Sequence, residues 1–411
     1  MKPSDPSDPS DFPRRRFLQQ TAAGGIGVMA LANTPEVLAL MIAQGTSPVD
    51  VEGAGVAKGL VRLNFNENPL GPSPLALKAI RDHLHETNRY GSDASALFFK
   101  LNTLAGVKTD GLDMSKREDQ QTFWRERNRI YMSDGSANLL KAASMVYLMD
   151  GGEVIEATPA YSEVSEYSEF LKMELGRNVK VTRVPLAPDM THDLEAMRQA
   201  VTDDTRLVVV TNPNNPTGTI VPRTDLEQFV DRLPDHVTVL IDEAYIDFVD
   251  EPGYRSMADI GISRPRVLVT RTFSRVYGLP GLRIGYAMAM PETVKNFWLY
   301  TSFPSPLAIH GATAALEDKD HIEATQAAIR EGRTYLYQQL DKLGLSYIRS
   351  QSNFMVVHVG DAKKIADDLA KQNVYVRNAD RNWGVKNHIR VSIGTREENE
   401  AFINTLRQIS G

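Results

Sequence analysis

The chain has 411 residues, 42% of them hydrophobic and 24% charged, which is enough for one large or two moderate domains with substantial cores. A net charge of −6 gives no electrostatic basis for nucleic acid or an anionic membrane as a partner. The absence of cysteine excludes disulfides, thiolate metal sites and thiol nucleophiles, and the eight histidines show no HExxH or related spacing, so no metal site is expected.

Residues 1–32 read as an address. A polar stretch (KPSDPSDPSDFP) leads into Arg14-Arg15-Arg16-Phe17-Leu18, which fits the twin-arginine pattern R-R-x-F-L. A weakly apolar run, Thr21–Ala32, ends in Ala30-Leu31-Ala32, an A-x-A cleavage site. That run is too short and glycine-rich to span a bilayer, so no membrane segment is expected in the mature form. The expectation is export of the folded protein, to the periplasm or otherwise out of the cytoplasm, by the twin-arginine machinery. A basic tail is the competing reading. Residues 33–75 follow as an N-terminal arm.

From residue 76 to 308 strand and helix patterns alternate. Val154–Ala157, Arg206–Thr211, Val237–Ile241 and Arg266–Arg271 are apolar runs of buried-strand character. Ala137–Met149, Asp193–Ala200 and Arg223–Arg232 carry helical spacing between them. This order predicts an α/β domain with a mostly parallel sheet, whose ligands gather at the strands' C-terminal ends. Residues 107–127 (VKTDGLDMSKREDQQTFWRER) form a charged insertion, expected as a solvated loop or helix. A smaller α+β domain is expected over 309–411. It holds one long helical pattern, Ile309–Leu343, then strands at Phe354–Val359 and His388–Ile393.

Four motifs stand at strand ends. Ser133-Asp134-Gly135-Ser136-Ala137 precedes a helix, whose amides and dipole make an anion site. Asn212-Pro213-Asn214-Asn215-Pro216-Thr217-Gly218 is a turn-rich shaped loop. Asp242-Glu243-Ala244-Tyr245 follows the third apolar run. Thr272-Phe273-Ser274-Arg275-Val276-Tyr277-Gly278-Leu279 follows the fourth, with Arg283 eight residues beyond Arg275. Singly each motif is weak, since a carboxylate after a strand is more often a helix cap than a catalyst. Their order and spacing make the set specific.

That set resembles the class I/II aminotransferases of fold type I, and within them the histidinol-phosphate aminotransferases. The resemblance begins at Leu63-Asn64-Phe65-Asn66-Glu67-Asn68-Pro69-Leu70-Gly71-Pro72-Ser73, passes Asn88-Arg89-Tyr90 and closes at Ile389-Arg390-Val391-Ser392-Ile393-Gly394-Thr395. It implies a seven-stranded-type sheet, pyridoxal 5'-phosphate as cofactor, and an amino donor and a 2-oxo acid as substrates. By the same resemblance, Asp242 faces the ring nitrogen, where an ionised carboxylate keeps it protonated. Asn215 and Tyr245 donate to the phenolic oxygen, and Tyr161 stacks on the ring. Ser136, Ala137, Thr272, Ser274 and Arg283 hold the phosphate. Tyr90 reaches the same phosphate in a neighbouring subunit, which implies a homodimer. Arg390 clamps the substrate carboxylate, with Asn353 nearby.

One position departs from the pattern. Where the family carries the lysine that bonds the cofactor aldehyde and shuttles the substrate proton, this chain has Arg275. No lysine lies between residues 181 and 294. Guanidinium, with a pKa above about 12, can neither bond the aldehyde nor act as a base. In a second, milder departure, Ala137-Asn138 replaces an acidic pair, and backbone phosphate contacts survive that change. Three readings follow: an aminotransferase with an altered lysine position, a silent protein that binds the cofactor or an amino-acid adduct non-covalently, or a different cofactor-dependent reaction such as elimination or oxidation.

Overall fold

The computed structural model describes residues 51–410 apart from 92, 109 and 110, so the expected export signal and the start of the arm lie outside the described residues. After β1 (Val61–Arg62), the strands β2 (Ile130–Ser133), β3 (Gly152–Thr158), β4 (Val179–Pro185), β5 (Thr205–Thr211), β6 (Thr238–Asp242), β7 (Val267–Thr272) and β8 (Gly285–Ala289) alternate with helices. The strands expected from the sequence recur within two residues at each end, and the three helices within one.

β2 to β8 form one seven-stranded sheet in the order β2-β8-β7-β6-β5-β3-β4. β4, β3, β5, β6 and β7 run parallel, and β8 runs against both of its neighbours. The unbroken apolar runs have a simple cause. On β5, Val208 and Val210 enter one core while Leu207 and Val209 enter another. On β7, Val267 and Val269 are likewise opposed to Leu268. Successive side chains on a strand point to opposite faces, and helices cover both faces here, so the runs Leu207–Val210 and Val267–Val269 are apolar at every position. Each fully buried Val or Leu contributes roughly 1.5–3 kcal/mol.

The expected single helix over Ile309–Leu343 is two, Pro306–Glu317 and Lys319–Lys342. The break is at Asp318, which leaves helical geometry (φ −83°, ψ 70°) and caps the second helix by accepting from the His321 amide. Apolar spacing does not register a one-residue cap. Ala308, Ile309, Ala312 and Ala315 of the first helix pack into the large core. Ile329, Leu336 and Leu340 of the second pack into a separate core with Phe354, Val391 and Phe402.

That smaller core sits on a four-stranded sheet. β9 (Tyr347–Ile348), β10 (Phe354–His358), β12 (Arg377–Asn378) and β13 (His388–Ser392) pair antiparallel in the order β12-β13-β10-β9. β11 (Val374–Tyr375) pairs instead with β1, so the segment around Val61 and Leu63 is buried in the C-terminal core. In the insertion, Arg117–Thr122 is helical and Phe123–Arg127 makes a wider helical turn. Phe123 is fully buried, while Trp124 stands half-exposed, edge-on to Phe98 with centroids 4.7 Å apart. The segment is a solvated helix on a buried anchor.

Candidate active site

The parallel strands bring their C-terminal ends to one edge, and the motif residues arrive there on the loops that follow β2, β3, β5, β6 and β7. Ser136 and Ala137 open the Ser136–Leu148 helix, so their amides belong to its unpaired first turn. Arg283 lies over that helix end. Gly135 has φ 108°, and a Cβ there would lie 2.5 Å from Arg283 Nη2, so only glycine admits the guanidinium. Gly285 is as constrained, because its Cβ would sit 2.4 Å from the Ser136 nitrogen. The buried hydroxyl of Thr272 donates to Ser274 Oγ (3.0 Å) and accepts from the Ser274 amide (3.1 Å). A helix terminus, two hydroxyls and a guanidinium therefore share one small space.

Asp242, at the end of β6, is buried and accepts from Thr270 Oγ1 at 2.8 Å. Burial pushes its carboxyl up to about 6, against the pull of the Thr270 bond and the nearby Arg275 charge. Tyr245 is also buried; its hydroxyl accepts from Asn66 Nδ2 at 3.0 Å, leaving its own proton to donate. Asn215 Oδ1 accepts from Arg390 Nη1 at 2.7 Å, so its amide nitrogen is the part left for a ligand. The Tyr161 hydroxyl donates to Glu163 (3.1 Å) and is pushed well above the usual tyrosine range, by burial first and the Glu163 charge second.

Arg275 occupies the middle of this edge. Its Nη1 donates to the carbonyls of Phe65 (2.9 Å) and Asn66 (3.0 Å), and its guanidinium lies 4.9 Å from the Tyr245 ring centroid. Asn66 is the hub. It holds left-handed geometry (φ 56°), accepts from Arg275 and Asn353, donates to Tyr245, and is fixed by Ser392. Non-glycine residues tolerate this region only where surroundings over-determine it, commonly at functional sites. Asn66 lies within the Leu63–Ser73 motif, whose spacing alone assigns it no role.

On the C-terminal side, Arg390 is buried and donates to Asn215 and to the Asn64 carbonyl (3.0 Å), with Trp383 and Phe354 against its faces. Desolvation pushes its guanidinium down to about 9, still a cation at neutral pH. Asn353 is buried and donates to Asn66 O at 3.0 Å. Arg377, which sequence reasoning missed, is the in-register partner of Arg390 on β12 and donates to the same Asn64 carbonyl at 3.2 Å. No motif marked it, because only the strand pairing sets it beside Arg390. Tyr90 is not part of this cluster: it is fully exposed on the described chain.

Of the eight buried side-chain polar atoms without a partner among the described residues, five belong to residues of this cluster and its loops: Arg275 Nε, Arg390 Nε and Oδ1 of Asn64, Asn214 and Asn353; the others are on Glu156, His192 and Ser352. Buried polar groups are ordinarily satisfied, so their concentration at one edge marks a place built for a polar ligand. The residues fit the phosphate, ring nitrogen and phenolic oxygen of pyridoxal phosphate. They do not fit its covalent attachment, since position 275 offers no amine.

The profile of the family aminotransferase class I and II matches residues 58–406. The chain is 36% identical over 362 residues to a histidinol-phosphate aminotransferase of Moorella thermoacetica, covering 86% of each chain. It is 36% identical over 356 residues to histidinol-phosphate aminotransferase 1 of Nitrosococcus oceani, covering 86% of this chain and 89% of that one. Among solved structures it resembles a histidinol-phosphate aminotransferase from Sinorhizobium meliloti in complex with pyridoxal-5'-phosphate. That likeness has a TM-score of 0.70 and 25% identity over 86% of this chain and 92% of the other. Fold, ordered motifs and relatives agree: the chain belongs to the class I and II aminotransferases, the pyridoxal phosphate enzymes of fold type I.

Proposed function

We propose that this chain transfers amino groups between an amino acid or amine and a 2-oxo acid, with pyridoxal phosphate held non-covalently because Arg275 takes the lysine position. The observation that carries this reading is Arg390, a buried guanidinium with no anionic partner among the described residues. Buried charges are ordinarily paired, so an unpaired cation bonded to Asn215 and close to Tyr245 is a receptor for a substrate carboxylate. Arg377 alongside supports a substrate with a second anionic group, in keeping with the histidinol-phosphate aminotransferases among the relatives. When bound, the cofactor supplies an electron sink next to the reacting carbon. Asp242 holds the proton on its ring nitrogen, Tyr245 and Asn215 donate to its phenolic oxygen, and Tyr161 packs its face. Arg275 would fix positive charge beside them but move no proton, so solvent water would have to carry the substrate proton, which makes the exchange slow.

Arg275 also sustains the second reading, a silent binding protein. Concentrated protein supplied with cofactor, an amino acid and a 2-oxo acid should exchange amino groups slowly. Cofactor retained with no exchange would favour the silent reading.

Burial of Asp242 adds a pH dependence. Pairing with a protonated ring nitrogen needs the ionised carboxylate, so cofactor affinity should rise with pH up to about 6 and level off above it. Equilibrium dialysis from about pH 5 to about pH 8 checks this. A flat profile would remove Asp242 from that role.

Tyr90 enters the same reading as the residue that crosses to a neighbour's phosphate, which makes the working unit a homodimer. Sedimentation should give a dimer at micromolar concentration; a monomer with full cofactor binding would end this part. The Arg14-Arg15 motif should send the folded protein out of the cytoplasm. Replacing both with lysine should leave it inside, and normal export of that variant would refute the twin-arginine assignment.

A further inference from the structure

Away from the cofactor edge, three side chains from two separate stretches of the chain converge. His83 ends the Pro74–Asp82 helix, Glu86 lies in the tight turn after it (Leu84–Asn88), and His310 is on the Pro306–Glu317 helix. Glu86 takes one imidazole on each carboxylate oxygen, His83 Nδ1 at 2.7 Å and His310 Nε2 at 3.0 Å. All three candidate donor atoms lie within 4.8 Å of one another. The two helices beneath are closely packed, since a Cβ on Gly311 would meet Leu282 at 3.0 Å and Ile80 at 3.2 Å. The donors therefore stand on a rigid base. Local spacing could not reveal the group, because His310 and Glu86 are 224 positions apart.

We infer that His83, Glu86 and His310 form a binding site for a divalent transition metal ion of the zinc, cobalt or nickel type. Two imidazole nitrogens and one carboxylate oxygen suit such ions, whereas calcium and magnesium require mostly oxygen. The three side chains are 24–35% exposed, which leaves coordination positions for water. The imidazole rings now stack with centroids 3.5 Å apart and planes 9° from parallel, their nitrogens turned to the carboxylate. A metal 2.0–2.1 Å from each nitrogen needs the lone pairs to converge, so the rings must swing apart as the ion replaces the shared hydrogen bonds. Exposure on one side gives them room. An ion there would clamp the Leu84–Asn88 turn to the Pro306–Glu317 helix, at the base of the loop carrying Tyr90.

The test is a Co²⁺ titration of the untagged, chelator-washed protein without amino acid, followed by visible absorption and by calorimetry. One ion per chain is expected. Outer partners of metal ligands are already worth about 10–100-fold in affinity, so losing a direct ligand should cost at least about tenfold. Glu86→Gln and His310→Ala should each show that loss, and His85→Ala, at a neighbouring ring outside the trio, should not. No saturable binding, or equal binding by His310→Ala, would overturn the assignment. If the variants fold poorly, the unsubstituted chain decides the matter. Zn²⁺ should shield His83 and His310 from diethyl pyrocarbonate, read by peptide mass, and equal modification with and without Zn²⁺ would overturn it.

Discussion

Replacing Arg275 with lysine should raise amino-transfer activity by at least about a hundredfold, the low end for restoring a positioned acid–base group. Everything else at the edge is in place: the helix end with Arg283, the buried Asp242, and Tyr245 beside position 275. What is lacking is an amine that can lose its proton. Guanidinium stays charged, whereas a lysine beside the Arg390 cation and in partial burial shifts readily toward the neutral form. The exchange has a structural cost, since the Phe65 carbonyl loses its Arg275 donor while Asn66 keeps Asn353. One such unmade bond costs about 1–3 kcal/mol, tolerable for a domain of this size. Borohydride should then fix the cofactor to residue 275, seen as a mass increase on that peptide, and should fix none in the unsubstituted protein. A covalent link without amino transfer to any 2-oxo acid would mean the pocket has diverged beyond this position. A covalent link already present with Arg275 would mean another residue holds the cofactor.

Arg390→Ala, made in the Arg275→Lys background, should raise KM for the 2-oxo acid by about thirtyfold or more. Truncating one partner of a buried charge pair costs about 2–5 kcal/mol, and 2 kcal/mol is already about thirtyfold in affinity. The side chain is buried between Trp383 and Phe354, and among the described residues it donates only to Asn215 and Asn64. Its loss would also release Asn215, so some fall in kcat should accompany the change in KM. Cofactor affinity should move much less. An unchanged KM would place the carboxylate elsewhere, with Arg377 the first alternative.

Much of this was legible in the chain. The parallel strands were plain because a strand buried on both faces must be apolar at every position, as Leu207 to Val210 are. The strand-end motifs were plain because glycine, proline and asparagine answer to local backbone demands. Gly135 is an example: its positive φ and the approach of Arg283 leave no other residue suitable. The long helix was misread because Asp318 breaks it with a single cap, which apolar periodicity does not register.

By itself, then, the sequence determined the α/β order, the family pattern and the departure at position 275, since each depends on residue type and short-range spacing. Tertiary structure alone decided which distant groups meet. It put Asn66 at the centre of four side chains, set Arg377 against Arg390 through strand register, and drew His310 to Glu86 across a helix packing. It also decided protonation at Asp242, because the type of residue sets the ordinary carboxyl range and only burial moves it upward. Contacts between positions hundreds of residues apart arise from packing two cores together, and no local pattern in the chain encodes them.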